Sequence, residues 1–172
     1  ISQNESFIPS PEVNGHKNGA FGTHHAADAA RVLSTLHHYV PLYSSAMKIN
    51  SQYMHVVRFN VTVKGHKSVD SVIENFKENK FVALTHKNSV NKVFSFGRDH
   101  GYYGRIYNQT VVSIPSLNTT SLAGKTKISG FCFTPQDGNS LLSSISAALY
   151  GINGKEYLSH AKTLEKFLFK EI

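Results

Sequence analysis

Two adjacent histidines, His24 and His25, stand at the predicted start of a helix and are the strongest candidates for chemistry in this sequence. Thr23, just before them, is predicted to cap that helix. A helix start offers free backbone N–H groups and a partial positive charge, and imidazoles beside it can donate hydrogen bonds to a phosphate. We therefore predict that the pair binds a phosphorylated small molecule or inorganic phosphate. The alternative is that both are exposed polar residues of the capping region.

A third histidine, His55, opens a predicted strand. Its position in the strand has the same parity as Val57, Phe59, Val61 and Val63. We therefore expect its side chain to point to the buried face of a sheet. A histidine in that place is commonly a hydrogen-bonded core residue, and the alternative is a group that transfers protons.

The composition is that of a globular protein with a basic charge. The chain has 172 residues, of which 40% are hydrophobic, and this is enough for one domain with a substantial core. Its net charge of +7 favours anionic partners. The lysines and arginines are scattered, which disfavours nucleic acid as the partner. No apolar run reaches membrane-spanning length, so no membrane association is expected.

The single cysteine, Cys132, excludes an internal disulfide and is predicted to be a buried structural thiol. Four Asn-x-Ser/Thr triplets begin at Asn4, Asn60, Asn108 and Asn118. Two of them fall in predicted strands, where glycosylation is awkward. We predict a cytoplasmic protein, and an extracellular location stays open.

The elements that must position these residues are predicted from periodicity. Residues 1–22 contain Pro and Gly without a repeat and are predicted to be an extended arm or loop, followed by a single domain over 23–172. Helices are predicted over 24–37, from Ser68 onward, from Asn139 to Gly151 and over 154–170, and strands over 53–64, 81–84, 105–114 and 126–134. The segment between the second and third strands is predicted to be a loop. This order predicts an α+β fold with a largely antiparallel sheet and helices packed on one face.

Six short blocks form a series along the sequence. They are Phe-Ile-Pro-Ser-Pro at 7–11, His-His-Ala-Ala-Asp at 24–28, Met-His-Val at 54–56, the helical pattern at 68–76, Gly-Arg-Asp-His at 97–100 and Gln-Asp-Gly-Asn-Ser at 136–140. Their order and spacing resemble the C-terminal part of the catalytic domain in archaeal-type (type II) glyceraldehyde-3-phosphate dehydrogenase. The resemblance covers nearly the whole chain.

The resemblance implies a fold, a reaction and roles for four residues. The fold would be that of the dehydrogenase C-terminal catalytic domain, and the reaction would be oxidation of an aldehyde to an acyl phosphate with NAD or NADP. By their matching positions, His24 and His25 would bind the substrate. His55 would be the catalytic general base, and Gln136 would contact the nicotinamide end of the cofactor.

The sequence departs from that family in several places. It has no G-x-G-x-x-G fingerprint, and the family's Rossmann domain and nucleophilic cysteine would both precede residue 1. Pro135 stands where the family has a histidine before its glutamine, and Val57 stands where the family's strand has a second histidine. We therefore expect the chain to be inactive alone and to need an upstream or partner segment. Because the sequence begins with Ile rather than Met, we expect it to be a processed product or a fragment.

Two other functions stay open. The same fold could be a non-catalytic structural or oligomerisation module, since the sheet mediates oligomers in the family that the chain resembles. The Asn-x-Ser/Thr triplets and the first residue also suit a secreted assembly subunit. In each case we expect a homo-oligomer or a partner chain.

Overall fold

The structure is a computed structural model that describes residues 12–13, 19–49, 54–102, 105–135 and 139–172. The chain divides into two compact units, Ile1–Gln52 and Tyr53–Ile172. The predicted division into an arm over 1–22 and a single domain over 23–172 stays a prediction.

In its described residues, 12–13 and 19–49, the first unit contains one helix and a small sheet. The helix α1 (His24–Ser34) follows a 3-10 turn (Gly19–Phe21). Strands β1 (Glu12–Val13) and β2 (Met47–Lys48) pair in antiparallel fashion. The predicted helix over 24–37 is confirmed in place and type, although its last three residues form a turn.

The second unit is an α+β structure built on a mixed, mainly antiparallel sheet. In chain order its elements are β3 (Met54–Lys64), α2 (Val69–Glu78), β4 (Val82–Thr85), α3 (Val90–Gly97), a π-helical turn (Arg98–Tyr102), β5 (Thr110–Ser113), β6 (Asn118–Leu122), β7 (Lys125–Pro135), α4 (Leu141–Asn153) and α5 (Tyr157–Ala161). The sheet order is β3-β7-β5-β4, and β6 also pairs with β7. Only the β4–β5 pair is parallel among these strands. The predicted α+β class is therefore confirmed.

Helices cover both faces of this sheet, so the predicted packing on one face is wrong. Successive residues of a strand point to opposite faces, and both faces of β5 are buried. Val111 belongs to a core cluster with Val93 of α3. Val112 belongs to a second cluster with Leu84, against which Ile73 of α2 packs. The inner strands are apolar on both faces, and one layer of helices cannot bury both.

Two elements lie in segments predicted as a loop and a turn. The helix α3 begins after Ser89, whose hydroxyl oxygen accepts a hydrogen bond of 3.3 Å from the Lys92 N–H, and Val93 on its inner face is fully buried. Strand β6 forms a hairpin with β7 through Ala123 and Gly124, which have φ angles of 50° and 71°. Both elements are short, which weakens their periodic signal.

The predicted helix over 154–170 is wrong at its end. It is interrupted by 3-10 turns (Gly154–Glu156 and Lys162–Phe167), and the chain then extends along the outer edge of β4. Leu84 N–H donates to the Lys170 carbonyl at 3.0 Å, and Ile172 N–H donates to the Leu84 carbonyl at 2.8 Å. These bonds satisfy an edge that would otherwise leave buried polar groups unpaired.

Candidate functional site

His24 and His25 form the first turn of α1, as their sequence position predicts. Both side chains are exposed, and their ring centroids lie 4.0 Å apart with the planes inclined by 40°. The two imidazoles therefore present ring nitrogens to solvent from one end of a helix.

The residues just before α1 do not cap its first turn. Thr23 does not cap the helix, contrary to the prediction, because its hydroxyl bonds the Ser44 hydroxyl at 2.6 Å instead. Gly22 has a φ angle of 75°, and a Cβ there would lie 2.2 Å from the Ser44 carbonyl oxygen, so the position requires glycine. The backbone N–H groups of Thr23 and Ser44 both donate to the Phe21 carbonyl at 3.0 Å. This arrangement leaves the N–H groups of the first turn without a cap from Thr23.

The charge around this turn suits an anion. The first turn of α1 contains no acidic residue. The nearest carboxylate in the helix, Asp28, lies one turn further on, where its Oδ1 is 3.6 Å from Arg31 Nη1. The helix macrodipole places a partial positive charge at the same end. His24, His25 and the first-turn N–H groups that Thr23 does not cap can therefore together receive a phosphate.

His55 is exposed, so the prediction that it points to the buried face is wrong. At the start of β3 the covered face is the opposite one, where Met54 packs in a cluster with Ala83 and Phe133. On the His55 face, burial begins only at Phe59, which packs against the cluster that α2 covers. Strand parity gives the faces of β3, but the position of the helices decides which part of each face is buried.

The other predicted site residues, His55 and Gln136, belong to the second unit. His55 belongs to the second unit and faces Thr134 in the register of β3 with β7, whereas the histidine pair belongs to the first unit. Gln136 lies outside the described residues, so its predicted contact with a cofactor stays a prediction.

Cys132 lies between β3 and β5 in the sheet and is buried, as predicted. Burial raises the pKa of the Cys132 thiol to about 11. The thiol is therefore protonated at neutral pH and cannot act as the nucleophile that the predicted reaction needs.

The described residues contain no group of three or more His, Cys, Asp or Glu side chains that could hold a metal ion. In the same part of the chain no helix is long and apolar enough to cross a membrane.

One of the Asn-x-Ser/Thr triplets has a structural role. Asn108 has a φ angle of 52°, and its Oδ1 accepts hydrogen bonds from the N–H groups of Leu142 at 2.8 Å and Ser143 at 3.3 Å. Asn108 therefore caps α4 from a distant loop. Asn60 and Asn118 are exposed on β3 and β6.

Sequence reasoning missed a groove beside α3, because it assigned that segment to a loop. The groove has a volume of about 400 Å³, and Lys87, Lys92, Phe96, Asp99 and His100 are among its lining residues. The signal that could have found it is Ser89, a helix-capping residue followed by Val90, Val93 and Phe96 at helical spacing.

No family model matches this chain, and no curated protein matches it either. Membership of the glyceraldehyde-3-phosphate dehydrogenase family therefore stays a prediction that depends on the six sequence blocks.

Proposed function

We propose that the chain binds a phosphorylated small molecule or inorganic phosphate at the start of α1. The observation that carries this proposal is the exposed pair His24 and His25 on a helix turn that Thr23 leaves uncapped. The phosphate oxygens would accept hydrogen bonds from the first-turn N–H groups and from the imidazoles.

We further propose that this site is the substrate-binding part of a glyceraldehyde-3-phosphate dehydrogenase-like catalytic domain, with the C-terminal fold of that family. His55 would take the proton of a cysteine thiol from a segment outside this sequence, and its exposure supports this role over that of a core histidine. Gln136 would contact the nicotinamide end of NAD or NADP, which would accept the hydride. A cytoplasmic location belongs to the same proposal.

Phosphate titration of matched variants tests the binding step. His24→Ala/His25→Ala should weaken phosphate binding by roughly 1.5–3 kcal/mol for each charge-assisted hydrogen bond lost. The control is His37→Asn/His38→Ala, which removes the histidine pair beyond the other end of α1, where the macrodipole repels anions. Asn is chosen at His37 because the φ angle there is 58°.

Binding is followed by titration calorimetry at constant ionic strength. An equal loss of phosphate affinity in both variants would show that binding depends only on the overall charge of the protein. That result would overturn the proposed phosphate site.

The dehydrogenase proposal has its own test. The chain alone should not reduce NAD or NADP with glyceraldehyde-3-phosphate, and activity should appear when a segment carrying a Rossmann domain and a nucleophilic cysteine is supplied. That activity should be lost in His55→Ala. Activity of the chain alone, or activity that survives this substitution, would contradict the roles proposed.

A structural or oligomerisation module is the second candidate. The outer edge of β3 pairs with no other strand in the part of the chain that the structure describes, and this observation favours association through the sheet. A chain that self-associates but binds no phosphate would support this candidate over the first.

A further inference from the structure

The groove lies beside α3 and the π-helical turn that follows this helix. Its wall is the outer side of α3 and the π-helical turn Arg98–Tyr102, in which Gly101 has a φ angle of 80°. The groove is open to solvent and has a volume of about 400 Å³, which leaves room for a phosphate group.

Two lysines provide positive charge on this groove. Lys87 Nζ lies 5.1 Å from the centre of the Phe96 ring, which holds the ammonium group over the aromatic face. Neither Lys87 nor Lys92 forms an ion pair with any residue that the structure describes. Asp99 also lines the groove, but its Oδ1 is 3.1 Å from Arg98 Nε, which offsets its negative charge.

His100 adds a hydrogen-bonding group in a fixed orientation. Its ring stacks on Phe96 with centroids 4.0 Å apart and planes inclined by 28°. His100 Nδ1 lies 2.8 Å from the Phe96 carbonyl oxygen, and since a carbonyl only accepts, Nδ1 is the protonated nitrogen that donates. Nε2 is then the ring nitrogen that remains for a ligand.

We propose that this groove is a second oxyanion site, which binds a small phosphate-bearing ligand between Lys87, Lys92 and His100. The two ammonium groups supply charge, and His100 supplies a directed contact, either as acceptor from a protonated phosphate oxygen or, when doubly protonated, as donor. The site lies entirely in the second unit. It therefore stands independently of the phosphate site proposed on α1.

The test is a titration of the full chain with inorganic phosphate, with sodium chloride added to keep the ionic strength constant. The histidine ring signals are followed by NMR, and the His100 signal is assigned with His100→Gln. The expected result is a saturable shift of the His100 signal. Lys87→Ala/Lys92→Ala should weaken this binding by about tenfold or more, and Lys87→Arg/Lys92→Arg should retain it.

Two controls make the result specific. Lys125→Ala/Lys127→Ala removes the same charge from exposed positions of β7 and should leave the His100 titration unchanged. His24→Ala/His25→Ala should also leave it unchanged, which separates this site from the one on α1. The proposal is overturned if the His100 signal does not shift, or if both lysine-to-alanine variants weaken its titration equally.

Discussion

The two edge strands of the main sheet, β3 and β4, differ in whether their outer edges are paired. The outer edge of β4 is covered by the chain beyond Phe167, which pairs with Leu84. The outer edge of β3 pairs with no strand among the described residues, although β3 is the longer of the two strands. One edge is thus closed within the unit, whereas the other is not closed by any strand that the structure describes.

The composition of each strand explains the difference. Ala83 and Thr85 of β4 are fully buried, so an unpaired edge there would leave polar backbone groups away from water. Val57 and Val61 of β3 are 41% and 48% exposed, and the charged residue Arg58 lies between them. Water can satisfy the edge of β3, so closing it is not required for folding.

The largest effect is expected at Gln109, which joins the covering segment to the sheet. Its Nε2 donates to the carbonyls of Lys80 at 3.0 Å and Phe169 at 2.7 Å, and its Oε1 accepts from the Phe169 N–H at 2.8 Å. Gln109→Ala should lower the free energy of unfolding by about 3 kcal/mol or more, because buried groups lose their partners.

Asn60→Ala on the open edge strand is the matched control and should change the free energy of unfolding by less than about 0.5 kcal/mol. Urea unfolding followed by circular dichroism measures both. A similar decrease in the free energy of unfolding in the two variants would mean that the covered edge of β4 contributes no more to stability than the open edge of β3.

A smaller effect is expected at Gly130, in β7, which lies between the two edges. A Cβ at Gly130 would lie 2.9 Å from both Leu117 Cδ2 and Phe59 Cζ. Gly130→Ala should therefore destabilise the unit by about 1–3 kcal/mol through overpacking.

Gly151, in α4, is the control for this substitution, since a Cβ there meets nothing within 4 Å. Gly151→Ala should raise the free energy of unfolding by about 0.5–1 kcal/mol. Thermal unfolding of the two variants should shift in opposite directions, and a shift in the same direction would refute the close packing at Gly130.

The open edge should affect association more than stability. We expect the chain to self-associate through β3, and Val57→Lys/Val61→Lys should weaken that association by about tenfold while changing stability little. Ile152→Lys, at an exposed position of α4, should leave association unchanged. Sedimentation and light scattering measure the self-association of both variants. A wild-type chain that stays monomeric at high concentration would exclude β3 as an association surface.

The smallest effect is expected for chemical labelling of the Cys132 thiol. Burial raises the pKa of its thiol to about 11, so the reactive thiolate is scarce below that pH. Iodoacetamide at about pH 8 should leave the native chain unlabelled and should label it once urea unfolds the sheet. Rapid labelling of the native chain would show that the strands beside Cys132 open without unfolding.

The parts of the fold that sequence predicts are those with a strong local period. The alternation in β3 and the capped pattern after Ser68 both gave the correct element. The segment after Phe167 was predicted as helix, because its partner Leu84 lies far away in sequence. Such long-range pairing overrides local propensity and has no local signal.

The candidate sites also differ in how far a local sequence pattern predicts them. His24 and His25 are recognised from the helical pattern that begins with them, which is a local signal. The exposure of His55 depends on where α2 and α3 lie, and strand parity does not contain that information. The groove joins Lys87, which precedes α3, to His100, in the turn that follows it, so it becomes visible only when that helix is known.

The covered edge of β4 also bears on how the protein is made. Thr85 donates a hydrogen bond to the carbonyl of Ile172, and 87 residues separate the two. At roughly 5–20 residues per second, a ribosome needs on the order of ten seconds to add that stretch. During this time β4 has emerged without the segment that covers it, and its apolar surface is accessible to chaperones or to other nascent chains. The second unit can therefore complete its sheet only after the segment that reaches Ile172 has been synthesised.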